Sequence, residues 1–264
     1  MTKMLSMLLL LILTSMVAAQ SSENYKAQQP TSTEQMTALL DWLEISTAAR
    51  QADRLINQSL KRQTELNLEQ RHRLRTQLKT AIGSDVVAAS VQVYIAQHSQ
   101  ADWDQALQAY QSVIARRARN FEVALGLSMA ADKFHQYQQQ VAVSQERRHL
   151  ARRLDALLHS SEIAVLLQTE IDASVDALSD KQLNNASKIQ GRDFLASHIQ
   201  QRRAHMATVA ENLFLYAYRF FKDEELADFV DQLDNKEVRA ITDTAVQAFS
   251  QVLKAGRTAT LTNN

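Results

Sequence analysis

Beyond residue 30 the apolar side chains recur three and four positions apart in block after block, the spacing of one face of an α-helix. Met36, Leu39, Leu40 and Leu43 follow a Thr31/Glu34 capping-box pair and predict a first helix running to about Leu60. Asn67 with Gln70 marks a second start, Gly83 a stop, and Ser84 or Asp85 a third start that carries Val87, Val91 and Ile95 inward. Asp102 with Gln105 opens a fourth helix bearing Leu107, Tyr110 and Ile114, and Asn120 caps a fifth with Phe121, Leu125, Met129 and Phe134.

From Ser144 the pattern predicts one long helix through Leu150, Leu154, Leu157, Leu158, Ile163, Leu166, Ile171, Val175 and Leu178. Ser179 and Gln182 read as the next capping box, and Gly191 as a break before a helix from near Asp193 to Phe221. Asp223 caps a short helix containing Leu226, Phe229 and Leu233. Asn235 caps the last, with Val238, Ile241, Val246, Phe249 and Leu253 facing inward. Gly256 reads as its stop, with Thr258 to Asn264 a frayed tail.

The residues before this pattern have a different character. Lys3 supplies a positive charge, Met4 to Val17 is an apolar run, and Val17-Ala18-Ala19 offers small residues to a signal peptidase. A spanning helix needs about 20 apolar residues and this run has roughly 14, so residues 1–19 read as a removable export signal rather than an anchor. Residues 20–30 are polar and aperiodic, a leader without regular structure. The expected product is exported, to a bacterial periplasm or outside the cell, with no transmembrane segment after cleavage.

Composition narrows the fold further. Four Gly and one Pro in 264 residues leave little material for tight turns, sheets or phosphate-cradling loops. The fold class is therefore all-α, an antiparallel helical bundle or bundles. With no Cys, disulfides and thiolate metal sites are excluded, so packed apolar surface has to hold the fold. Basic and acidic groups balance at 29 each, which argues against broad electrostatic attachment to nucleic acid or anionic lipid.

Two halves of the chain echo each other. Leu39-Leu40 and Glu44-Ile45 match Leu157-Leu158 and Glu162-Ile163 at one offset, and Asp104, Leu107 and Tyr110 align with Asp223, Leu226 and Phe229 at nearly the same one. Gly83, Asp85 and Ala88 resemble Gly191, Asp193 and Ala196 only with compensating length changes. The expectation is two related helical halves, 31–145 and 146–256, packed together, with 257–264 as tail.

The least uniform feature is aromatic. Phe214, Tyr218 and Phe221 lie along one helical strip, and Leu213, Tyr216 and Phe220 line its neighbour. So wide an apolar arc reads first as a buried core helix and second as a ligand site, with Phe214, Tyr216, Tyr218 and Phe221 around an apolar guest. Asp223, Glu224, Glu225, Asp228, Asp231 and Asp234 follow at once. They read as helix-start and solvent-facing acids, since no Gly is present to build a calcium loop. Arg147, Arg148, Arg152 and Arg153, with Arg116, Arg117 and Arg119 upstream, read as solvated faces, and as phosphate or acidic-polysaccharide grips in the alternative.

His198 and His205 share a helix face but stand two turns apart, and no zinc, nucleophile-elbow or phosphate-loop motif occurs. No catalytic residue, metal site or cofactor is expected. The stretch Tyr216 to Phe229, Y-A-Y-R-F-F-K-D-E-E-L-A-D-F, resembles the C-terminal motif of a bacterial family of exported helical proteins of unknown function. Phe221, Glu225, Leu226 and Phe229 occupy the matching positions, and Val230-Asp231-Gln232-Leu233 stands where the family's Ser-Pro-x-Gly usually follows. The resemblance implies a periplasmic all-helical protein and carries no activity or cofactor with it. The functional expectation is a non-enzymatic binding protein of the bacterial envelope, its partner another envelope protein or an apolar small ligand. A hydrolase or lyase working in a cleft between the halves, and a structural subunit of an envelope assembly, are the alternatives.

Overall fold

Helix after helix forms where the apolar spacing places one, and no strand occurs among the described residues. The structure is a computed structural model that describes residues 33–118, 137, 139, 141–182 and 192–262, the side chains of 182 and 192–198 excepted. The export signal, the leader, the Thr31 cap, the Asn120 helix and Gly191 lie outside the described residues. In chain order the elements are α1 (Thr33–Trp42), α2 (Ile45–Ala49), α3 (Ala52–Arg62), α4 (Leu68–Ile82), α5 (Ser84–His98) and α6 (Trp103–Gln111). They continue with α7 (Gln145–Leu158), α8 (Ser160–Gln182), α9 (Arg192–Ala217), α10 (Asp223–Leu233) and α11 (Lys236–Thr262).

Several starts fall where side-chain oxygens can satisfy orphan amides. Asn67 accepts the Gln70 amide at 2.9 Å and Gln70 accepts the Asn67 amide at 2.9 Å, a complete capping box. Asp102 accepts from the amides of Asp104 and Gln105, Ser144 from Arg147, and Asn235 from Glu237. The α3–α5 corner caps itself across 31 residues of chain. Asp53 accepts the Ser84 amide at 3.0 Å while the Ser84 hydroxyl accepts the Asp53 amide at 3.1 Å and donates to the Arg50 carbonyl.

Several boundaries differ from the sequence expectation. The helix expected to reach Phe221 ends at Ala217, and Asp223 does not cap α10 but is its first residue, the N-cap being Lys222. The helix expected to run from Met36 to Leu60 is three helices: Glu44 takes a left-handed conformation with φ 58° and turns the chain after α1, and a second break falls at Arg50 and Gln51. The helix expected from Ser144 to Leu178 is broken in the same way at His159, φ 51°, which ends α7. Ser179 caps nothing. It sits inside α8, its hydroxyl donating back to the Val175 carbonyl at 2.7 Å, and a mid-helix serine satisfied in this way does not stop the helix.

Gly256 is not a stop either, since α11 continues to Thr262 and the expected tail from Thr258 is helical that far. A Cβ at 256 would lie 2.3 Å from the Ile82 methyl and 2.8 Å from the Ala81 carbonyl oxygen. The glycine is there because the end of α4 crosses α11 with no room for a side chain.

The long helices α8 and α11 form the middle of the molecule. α8 packs on α2, α3, α4, α7, α9 and α11, and α11 on α4, α5, α6, α7 and α8. One continuous hydrophobic cluster joins Leu39, Leu40, Leu74, Leu78, Ile82 and Trp103 to Leu154, Ile171, Val175, Phe229, Ile241 and Phe249. Helices from before and after residue 145 thus share one interior.

Candidate functional site

The aromatic strip closes on itself inside the core. Phe214, Tyr216, Tyr218 and Phe221 are all buried, Tyr218 completely. Tyr218 stacks against Phe221 at 5.5 Å between ring centroids and meets Phe229 of α10 at 5.3 Å, and Phe229 reaches Trp42 of α1 at 6.4 Å. Phe214 lies 6.3 Å beyond Tyr218. Tyr216 points elsewhere, edge-on to Tyr137 and under the Arg219 guanidinium. The neighbouring strip is outside: Leu213 is exposed, and Phe220, 59% exposed, is covered on one side by Arg219.

The four arginines at the start of α7 hold this block in place. Arg147, only 11% exposed, donates to the Tyr218 and Phe221 carbonyls and to Asp223, so one guanidinium satisfies the chain as it leaves α9 and enters α10. Arg148 and Arg152 grip both oxygens of Glu211 at 2.8 and 2.6 Å. Burial alone would raise the Glu211 carboxyl, and the two guanidiniums outweigh it and hold the group below its ordinary range. Arg153 spans Asp231 and Asp234. The expectation of a solvated basic face is corrected for Arg147, which is mostly buried, while Arg148, Arg152 and Arg153 stay part-exposed and pair with carboxylates.

A groove lies on the other side of α10. Helix α6 ends at Gln111, Ser112 is extended, and its hydroxyl accepts the Ala115 amide at 3.1 Å to restart helix over 113–118. The restart swings Val113 outward, 75% exposed, and runs the new turns alongside α10 without closing on it. Two polar struts fix the separation. Ser112 donates to Gln232 at 2.5 Å at one end, and Arg117 pairs with Glu225 at 2.5 Å at the other, its guanidinium lying 4.7 Å over the Phe221 ring. Between them is a space of about 560 Å³ lined by Val113, Ile114, Arg117, Glu225, Asp228, Asp231 and Gln232.

The groove's chemistry is an apolar floor under an acidic wall. Three carboxylates face one guanidinium. Glu225 accepts the Lys222 amide and the Arg117 guanidinium, which hold its carboxyl below the ordinary range and keep it ionised. Asp228 is exposed and no described residue pairs with it. Of these residues the sequence marks Asp228 and Asp231 as solvent-facing, Ile114 as inward, Arg117 as part of a basic cluster and Glu225 as a position of the family motif. The available signal was Ser112, a cap residue directly before Val113-Ile114.

Among the described residues no three His, Asp or Glu side chains are placed to hold a metal ion, and no helix is long and apolar enough to cross a membrane. No protein-family model, curated protein or solved structure matches this chain.

Proposed function

We propose that the chain is an exported, non-catalytic interaction protein of a bacterial envelope that receives a basic segment of another envelope protein in the groove between residues 113–118 and α10. The observation that carries this reading is the pairing of an apolar floor, exposed Val113 and half-buried Ile114, with the Asp228 carboxylate, which pairs with none of the described residues. A Lys or Arg beside an apolar residue on a partner helix meets both at once, and such complementarity selects partners by charge. The struts at Ser112–Gln232 and Arg117–Glu225 keep the groove open without a ligand, so little ordering cost falls on binding. A lowered Glu225 carboxyl suits attraction better than proton transfer, which favours binding over a hydrolase or lyase. The apolar run from Met4 to Val17, expected as an export signal, and the resemblance to an exported family support the location.

A photo-crosslinking residue placed at Val113 in living cells tests the proposal. The expected adduct joins a peptide rich in Lys or Arg and disappears in the Asp228→Lys background. An adduct that survives Asp228→Lys, or the absence of any adduct, overturns it.

A further inference from the structure

Two of the three carboxylates on the groove's acidic wall already hold a resident cation. Glu225, Asp228 and Asp231 follow one another three residues apart on α10, each about 4.5 Å further along its axis. Arg117 reaches Glu225 from the 113–118 turns at one end. Arg153 reaches Asp231 from α7 at the other, at 3.0 Å, and the same Nη2 lies 3.2 Å from Asp234. Asp228 stands between them, exposed, and pairs with none of the described residues. Neither resident cation hangs loose. Arg117 also lies 4.7 Å over the Phe221 ring and donates to the Phe220 carbonyl at 3.4 Å. Arg153 is shared between two carboxylates, and Arg239 takes the second oxygen of Asp234.

We infer that the groove selects a segment presenting one Lys or Arg to Asp228 and uncharged residues one helical turn to either side, a requirement that rests on the groove being the site for a basic segment. The stem of the guest cation lies along Val113 and Ile114 while its head meets Asp228. A second cation one turn away on a guest helix stands about 5–6 Å from the first. That places it beside the Arg117 or Arg153 guanidinium rather than beside an open carboxylate, and like charge rejects it. Further cations of the segment face away from the wall. Three open carboxylates would take any polybasic chain, whereas this wall takes a spaced pattern. Arg153 does not line the groove and acts through Asp231, as a positioning residue for specificity.

Two synthetic helical peptides of Ala, Leu and Gln, blocked at both ends, test this by fluorescence anisotropy against the full protein at ~150 mM salt. One carries a single central Lys and the other has Lys also four residues to either side. The parent is expected to bind the one-Lys peptide about 5-fold more tightly, two exposed like-charge contacts making the difference. Arg153→Gln and Arg117→Gln each keep a donor to the carboxylate and remove the charge. Each is expected to move the ratio of the two affinities about 5-fold towards the three-Lys peptide. A variant that only loosens the fold weakens both peptides alike and leaves that ratio where it was.

A parent that prefers the three-Lys peptide, or a ratio that either glutamine variant leaves unmoved, overturns the inference while the groove reading stands. Failure of both peptides to bind overturns it too, and the adduct from Val113 then decides the groove reading by itself.

Discussion

Glu44 combines two costs at one residue. Its left-handed backbone disfavours any side chain with a Cβ, and burial raises its carboxyl from an ordinary 4.5 to about 7. Between those values the folded chain holds the proton more tightly than the unfolded one. The contribution of Glu44 to stability is therefore greatest below about pH 4.5 and is lost as pH rises through 7. Glu44→Gln removes the titration, so its stabilisation relative to the parent should grow by about 2 kcal/mol between about pH 5 and pH 8 in urea denaturation. An advantage that is the same at both pH values would exclude this account. Nothing in the spacing of Leu39, Leu40, Leu43 and Ile45 announces the turn, because their apolar phase runs on across Glu44. Gly256 shows the converse. Its identity was visible but its reason was not, since the atoms that forbid a side chain belong to Ala81 and Ile82, far off in sequence.

Among the elements, α7 acts less as a core helix than as a bracket. Its first turns reach forward to α9 and α10 through Arg147, Arg148, Arg152 and Arg153. Arg147→Ala would leave two carbonyls and a partly buried carboxylate without their donor. We expect a loss of about 2–4 kcal/mol in chemical denaturation, against within about 0.5 kcal/mol for Arg73→Ala, whose contact with Glu69 is an exposed pair. Helix existence was legible throughout the described chain, and so were the starts at Asn67, Asp102, Ser144 and Asn235, because a cap and its helix are neighbours in sequence. The arginine cluster was legible only as charge. Its carboxylate partners lie about 60 to 80 residues away, and nothing local distinguishes a clamped guanidinium from a hydrated one. The groove escaped for a similar reason, since it exists only where the 113–118 turns happen to lie beside α10.

At the scale of the whole molecule, the shared interior predicts cooperative loss. Trp42 and Trp103 are both buried and both precede residue 145, so their fluorescence reports the first half while circular dichroism at 222 nm reports every helix. The two signals should give one coincident urea transition. A tryptophan transition that leads or trails the helical one would mean that the halves melt apart. The position of α11 has a further consequence, one of timing. Helix α11 is made after α4, α5, α6, α7 and α8, all of which rest on it. Until α11 emerges, those helices have apolar faces with nothing final to close upon, and the chain needs shielding up to that point.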